Sequence, residues 1–470
     1  MYDLLIKNGT LVTKDGMFQA DVAVKNEKYA AFVKPGEDIA AQRTIDAAGM
    51  LVFPGIIDCH AHLNEPGYEY REDFETGTRA AASAGCTCLI DMPLNNRPAL
   101  TDKEAFACKK ERALQKSYID FALWGGIVGA YDENGMRTPA NLDKLTELQE
   151  CQVAAFKAFT CPNGPEFPAV STGEVRRAME ILKPYHALLG FHCEEYGQVL
   201  FRTKERRQKK GRTADEKIQD FLEAHDVWTE YMAVENILTL VRATGCRAHI
   251  CHVSHPYTAE RIREAIREGL PVTAETCPHY LGMTEKDLFQ KGAAAKCTPP
   301  LRKAEDVEKL WEYVLDGTLS CIGSDHSPAA DNEKDNAKLD IWEAWGGFNS
   351  IQCFLPYMYE LAVNRRKLSP SLLAKTMCYA PAKIFGLYGR KGDFKPEFDA
   401  DFVIFDPKKK WKCNEKELYT KGHVSCFHGA EGTGSAVYTI VRGRVVAQDG
   451  KYLAAEKGTG EFIPSFSIPQ

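Results

Sequence analysis

The sequence predicts an α/β protein, a (β/α)8 TIM-like barrel with a small β-sandwich domain built from both chain termini. Three observations carry that expectation. From residue 51 to residue 384, short apolar, β-branched runs alternate with segments of helical length, the texture of a parallel sheet wrapped by helices. Both ends of the chain show strand-like runs and turn signals with no helical pattern between them. Histidines and other polar residues of ligand type stand at the ends of the middle runs, where barrel active sites lie.

Taken in order, residues 1–50 read as Asp3–Lys7, a turn at Asn8-Gly9, Thr10–Thr13, a turn at Asp15-Gly16, and Asp21–Val24. Ala400–Phe405, Val437–Arg442 and Val445–Ala447 continue that texture near the other end. Residues 1–50 and 385–470 are therefore expected to form one split domain, with the barrel over 51–384. Its strands are Val52–Ile57, Cys88–Met92, Phe121–Ile127, Ala154–Phe159, Leu188–His192, Ala248–His252, Val272–Thr276 and Leu319–Ser324. Helical segments such as Gly173–Leu182, Asp226–Thr244 and Thr258–Glu268 fall between them.

Composition narrows the function. The 470 residues are 44% hydrophobic and 26% charged, and 59 Lys plus Arg against 65 Asp plus Glu leave a net charge of -6. No basic stripe suits a nucleic-acid backbone, and the one basic run, Arg202–Arg212, reads as solvated helix surface. No stretch approaches the roughly 20 apolar residues of a membrane span, and the first residues lack a secretion signal, so a cytoplasmic protein is expected. The 16 cysteines contain no CxxC pair and read as free, buried thiols.

The stretch Pro54–Gly67, PGIIDCHAHLNEPG, organises the rest. Residues two apart on a strand share a face, so His60 and His62 present both imidazoles to one point and Cys59 faces away. A metal ion suits that geometry, although such a pair alone also reads as two polar side chains beside a turn. Lys157 near the end of the fourth run, His192 and His252 ending the fifth and sixth, and Asp325 after the last add nitrogen and oxygen ligands at one rim. Singly, Lys157 reads as a rim lysine, the histidines as ordinary buried imidazoles and Asp325 as a helix cap. Together they exceed one tetrahedral zinc and suggest two adjacent divalent ions. Lys157 sits in the apolar run AAFKAF, where a bare ammonium is costly, and a carbamylated lysine would supply an anionic bridge.

The stretches DCHAHLNEPG, KAF, GFHCE, CHVS, ETCPHYL, KCTPPLR and GSDHSP, in this order over nearly the whole chain, resemble the cyclic amidohydrolases of the amidohydrolase superfamily. The resemblance implies that His60, His62 and Asp325 hold one ion (Zn, Co or Mn), that His192 and His252 hold the other, and that carboxylated Lys157 bridges them. It further implies Asp325 as the catalytic proton carrier, a β-rich domain from both termini, and a homotetramer.

Within that superfamily, dihydroorotases carry Arg where Asn64 stands, and that Arg pairs with a substrate carboxylate; a neutral amide points to a neutral ring. Hydantoinases and dihydropyrimidinases carry a Tyr shortly after the lysine, and AFTCPNGPEFP has none. HLNEPG, MPLNN, the loop Lys157–Pro168 and WEAWGGFNSIQ resemble the allantoinases, which implies allantoin as substrate; Tyr68, where that group usually has Arg, departs from the pattern. Asn64, Asn95, Thr298 and Gly346 are the expected substrate contacts, with Ala329–Lys338 as a covering loop. The rival readings are a hydantoinase or dihydropyrimidinase and a non-catalytic scaffold that keeps the fold.

Overall fold

The computed structural model describes residues 1–131, 137–139, 141–335 and 339–466. Eight strands form the barrel: Ile56–Ala61, Cys86–Asp91, Asp120–Gly126, Ala155–Phe159, Leu188–His192, Arg247–Ile250, Val272–Thr276 and Cys321–Ile322, each beside its sequence neighbour. All neighbouring pairs are parallel. The ring closes where Ala61 bridges His326 and the His62 amide donates to the His326 carbonyl at 2.7 Å. Most strand residues are buried on both faces, which explains why these runs read as nearly continuous apolar stretches.

The expected strand over Val52–Ile57 is in fact two strands. Leu51–Pro54 pairs with the terminal sheet, and Ile56–Ala61 begins the barrel. Gly55 makes the junction possible: a Cβ there would lie 2.0 Å from Thr87 Oγ1 and 2.7 Å from Asp401 Cβ, so only glycine passes between barrel and terminal sheet. The last barrel strand shrinks to Cys321–Ile322.

The terminal segments build two sheets. One orders Lys28–Val33, Asp21–Lys25, Tyr2–Lys7 and Ala41–Asp46; the other has seven strands and mixes both ends of the chain around Leu51–Pro54, Phe402–Lys412 and Glu431–Val441. Alternation decides their packing. Leu4, Ile6, Val22, Phe402 and Ile404 fill the sandwich core, whereas Val403 and Phe405, one residue out of phase, join the main core with Phe53.

The two units are tied by a buried charge knot. Lys391 reaches Asp120 at the start of the third barrel strand together with Asp399 and Asp401, while Arg442 also pairs with Asp120. The basic run collapses likewise onto one carboxylate: Arg206, Lys209 and Arg212 all bond Asp220, so it is an intramolecular cluster. Among the described residues no helix is long and apolar enough to cross a membrane.

Candidate metal centre

His60 and His62 leave the first strand on one side, as their spacing requires, with ring centroids 5.4 Å apart. Sheet order then brings the others in. His252 lies 5.3 Å from His60 and 4.6 Å from His192, and His192 stacks on Phe159 at 4.7 Å. Asp325 Oδ1 sits 3.3 Å from His60 Nε2 and 3.5 Å from His62 Nε2. His252 and Asp325 both hold left-handed backbones, φ 38° and 47°, which for residues other than glycine marks a locally imposed conformation. Cys59 points the other way, into a separate apolar cluster with Cys321.

Two carboxylates not anticipated from the sequence orient this set. Glu275, at the end of the seventh strand, bonds His60 Nδ1, accepts from the His252 amide at 3.3 Å and lies 3.5 Å from His249 Nε2. Glu194 bonds His192 Nε2 at 2.8 Å and His225 Nδ1 at 2.7 Å. Each engages one ring nitrogen and leaves the other for a cation, His60 through Nε2 and His192 through Nδ1.

Burial and charge set the protonation. Burial alone would depress His60, but Glu275, aided by Asp325, lifts it to about 10. Burial pulls His62 down to about 4, and lowers His192 and His252 as well. Burial would raise Asp325, yet His60, His62 and His252 outweigh it and hold the carboxyl well below its usual range. His62, His192 and His252 are thus neutral and Asp325 ionised, the forms in which such groups bind a metal, whereas His60 would have to give up its proton to do so.

The residues fit a cation cluster on a further count. Lys157 is fully buried, and its Nζ, like His62 Nδ1 and His252 Nδ1, has no hydrogen-bond partner among the described residues. An ammonium so placed among imidazoles is unfavourable. A carboxylated Lys157 would remove the conflict, and the surrounding nitrogen and oxygen donors are of the type that would hold divalent ions.

A cavity of about 210 Å³ opens over the centre. All six expected ligands line it: His60, His62, Lys157, His192, His252 and Asp325. Asn95, Thr298 and Gly346 line it too, with Asn163, Ser327 and Trp345, which sequence reasoning had not singled out. Asn64 does not reach the wall. It is fully buried behind the histidine pair at φ 54°, donating Nδ2 to the His62 carbonyl at 3.2 Å. Across the mouth, Arg71 grips Glu333 at 2.8 and 3.0 Å through Nε and lies 4.0 Å over the Trp345 ring.

Comparison with known proteins agrees with this architecture. The model of the amidohydrolase family matches residues 51–446. An allantoinase of Deinococcus radiodurans is 36% identical over 97% of this chain and 98% of its own. One from Escherichia coli K12 is 35% identical over 95% of each. Among solved structures, the L-hydantoinase (dihydropyrimidinase) from Arthrobacter aurescens superposes with a TM-score of 0.93 at 34% identity, covering 99% of this chain and 100% of that one. A dihydropyrimidinase from Brevibacillus agri gives 0.90 at 25% identity, with both chains fully covered. With a barrel, a histidine-rich centre at its strand ends and relatives matched over nearly their full length, the chain belongs to the amidohydrolase family.

Proposed function

We propose that the chain hydrolyses the cyclic amide of allantoin to give allantoate, a step of purine and ureide breakdown. The observation that carries this reading is the cavity wall: apart from the six candidate ligands, every lining side chain among the described residues is uncharged. A neutral ring fits such a wall, and a carboxylate-bearing ring such as dihydroorotate finds no guanidinium there. The relatives named allantoinase support the choice among neutral rings.

In this reading His60, His62 and Asp325 would hold one divalent ion (Zn, Co or Mn), His192 and His252 would hold the other, and N6-carboxylated Lys157 would serve both. When bound, the pair supplies Lewis acidity and lowers the pKa of water. The remaining work belongs to the chain. Asp325, ionised and lining the cavity, accepts the proton of the attacking water on its carboxylate and delivers it to the leaving ring nitrogen. Asn95, Asn163, Thr298 and the Gly346 backbone present neutral donors and acceptors to the ring and its ureido group. Asn64 acts one layer back, fixing the carbonyl of His62. The working protein is a cytoplasmic homotetramer on this proposal, and light scattering tests the assembly.

A second reading is hydantoinase or dihydropyrimidinase activity, favoured by the 0.93 superposition on the L-hydantoinase. Turnover of allantoin, hydantoin, dihydrouracil and dihydroorotate, with Zn, Co and Mn supplied separately, separates them. Allantoin should be preferred; preference for dihydrouracil rejects the proposal. Metal analysis decides against a non-catalytic scaffold if about two ions bind each chain.

A further inference from the structure

Two lysines are buried directly behind one wall of the cavity. Lys296 is 8% and Lys334 4% exposed. Charged heads are seldom buried to that extent, so what they bond is informative. Lys334 Nζ donates to the carbonyls of Ala293 at 2.9 Å and Lys296 at 3.0 Å. Lys296 Nζ donates the other way, to Ala344 at 2.6 Å and Trp342 at 3.4 Å. The Lys296 carbonyl also accepts from the Gly347 amide at 3.1 Å. Lys334 thus pins the segment of Lys296, Lys296 pins residues 342–344, the Trp345 amide donates to the Glu333 carbonyl at 2.9 Å, and the chain runs on into Cys297-Thr298 and Trp345-Gly346-Gly347, which line the cavity. Gly346 faces Thr298 closely, since a Cβ on it would stand 3.7 Å from Thr298 Oγ1.

We propose that Lys296 and Lys334 are positioning residues that lock these two backbone segments together, so that their peptide groups meet the amide edge of a neutral ring. The inference rests on the cavity being a cyclic-amide site. Lysine heads serve this purpose because each bonds two carbonyls of the facing segment at once. The neutral amine also does so with its two N–H groups, where burial lowers Lys296 to about 8 and Lys334 to about 7. Neither lysine touches the metal-ligand set in this arrangement, so the effect falls on binding.

The test is steady-state kinetics of Lys296→Met and Lys334→Met on allantoin, with metal content measured in parallel. KM is expected to rise about tenfold, with kcat and bound metal nearly unchanged, the signature of lost ground-state binding. A fall in kcat at unchanged KM, or no change in a folded variant, overturns the proposal. Should the Met variants fail to fold, Lys296→Gln and Lys334→Gln keep a polar head on a shorter stem that does not span both carbonyls; an unchanged KM there overturns it equally. If the parent opens hydantoin or dihydrouracil but not allantoin, the substrate reading falls and the same KM test runs on that ring. If the parent opens allantoin and the variants keep its KM, the substrate reading stands and the positioning role is refuted.

Discussion

At the scale of single residues, Lys157 and Glu275 carry the sharpest expectations. The buried head of Lys157 lies over the Phe159 ring and has no hydrogen-bond partner among the described residues, so replacing it by Ala removes no such bond. It does remove the proposed bridge: Lys157→Ala should lose most bound metal and nearly all activity while melting close to the parent, and a small carboxylic acid such as propionate should restore part of both. Glu275→Gln keeps the shape but weakens the grip on His60 Nδ1, and metal affinity should fall roughly 10- to 100-fold, read by competition with a chromogenic chelator. An unchanged affinity would mean that Glu275 serves packing alone. Lys157 was legible in the sequence because a charged residue inside an apolar run is itself an anomaly. Glu275 and Glu194 were not legible, because a carboxylate's choice of imidazole is made by tertiary neighbours. Asn64 shows the opposite limit: spacing placed it after the histidine pair, while its left-handed backbone turned it behind them.

Elements show the same division. Eight barrel strands could be read from apolar runs because burial on both faces leaves a continuous signal. The break at Gly55 could not, because the run stays apolar across it and only the close approach of Thr87 and Asp401 separates the two strands. The cavity walls are loop segments without periodicity, which is why Asn163, Ser327 and Trp345 escaped notice. Gly347 is a testable case among them. A Cβ there would meet the Ser327 carbonyl, Cβ and Oγ, each at 2.6 Å, and a backbone oxygen cannot swing aside. Gly347→Ala should cost about 1–3 kcal/mol in stability by overpacking, measured by urea unfolding, and lower kcat/KM for allantoin more than it lowers metal content. Equal losses in both would place the damage at the metal ligands instead.

For the whole molecule, the question is what holds the split domain to the barrel, and the knot around Lys391 answers it. Three carboxylates, Asp120, Asp399 and Asp401, share one fully enclosed ammonium with Arg442 at its edge. Burial alone would depress Lys391, but the carboxylates raise it well above its usual value, so it stays charged across the working range. Burial would raise Asp399, yet Lys391 first, then Lys28 and Arg390, bring it well below the usual 3.8. A depressed carboxyl gives stability that is present above its unfolded pKa and lost as pH falls through its folded one, so Asp399 strengthens the fold at neutral pH and surrenders that strength below about pH 4. Asp401 works in the opposite direction. Burial lifts it to about 6, so its share is a decline in stability as pH rises from 3.8 towards 6. Lys391→Met removes the shared cation and leaves buried Asp401 without its ion-pair partner, while Arg442 stays on Asp120 and Lys28 and Arg390 stay on Asp399, at a cost of about 3–5 kcal/mol at neutral pH. The same change should flatten the acid dependence of stability, because Asp399 then titrates nearer its ordinary value and its protonation costs the variant less than it costs the parent. Urea midpoints of parent and variant between pH 3 and 7 measure both effects: the two curves should converge on the acid side as the carboxylates are neutralised. A constant gap across that range would show that the knot contributes by packing and not by charge.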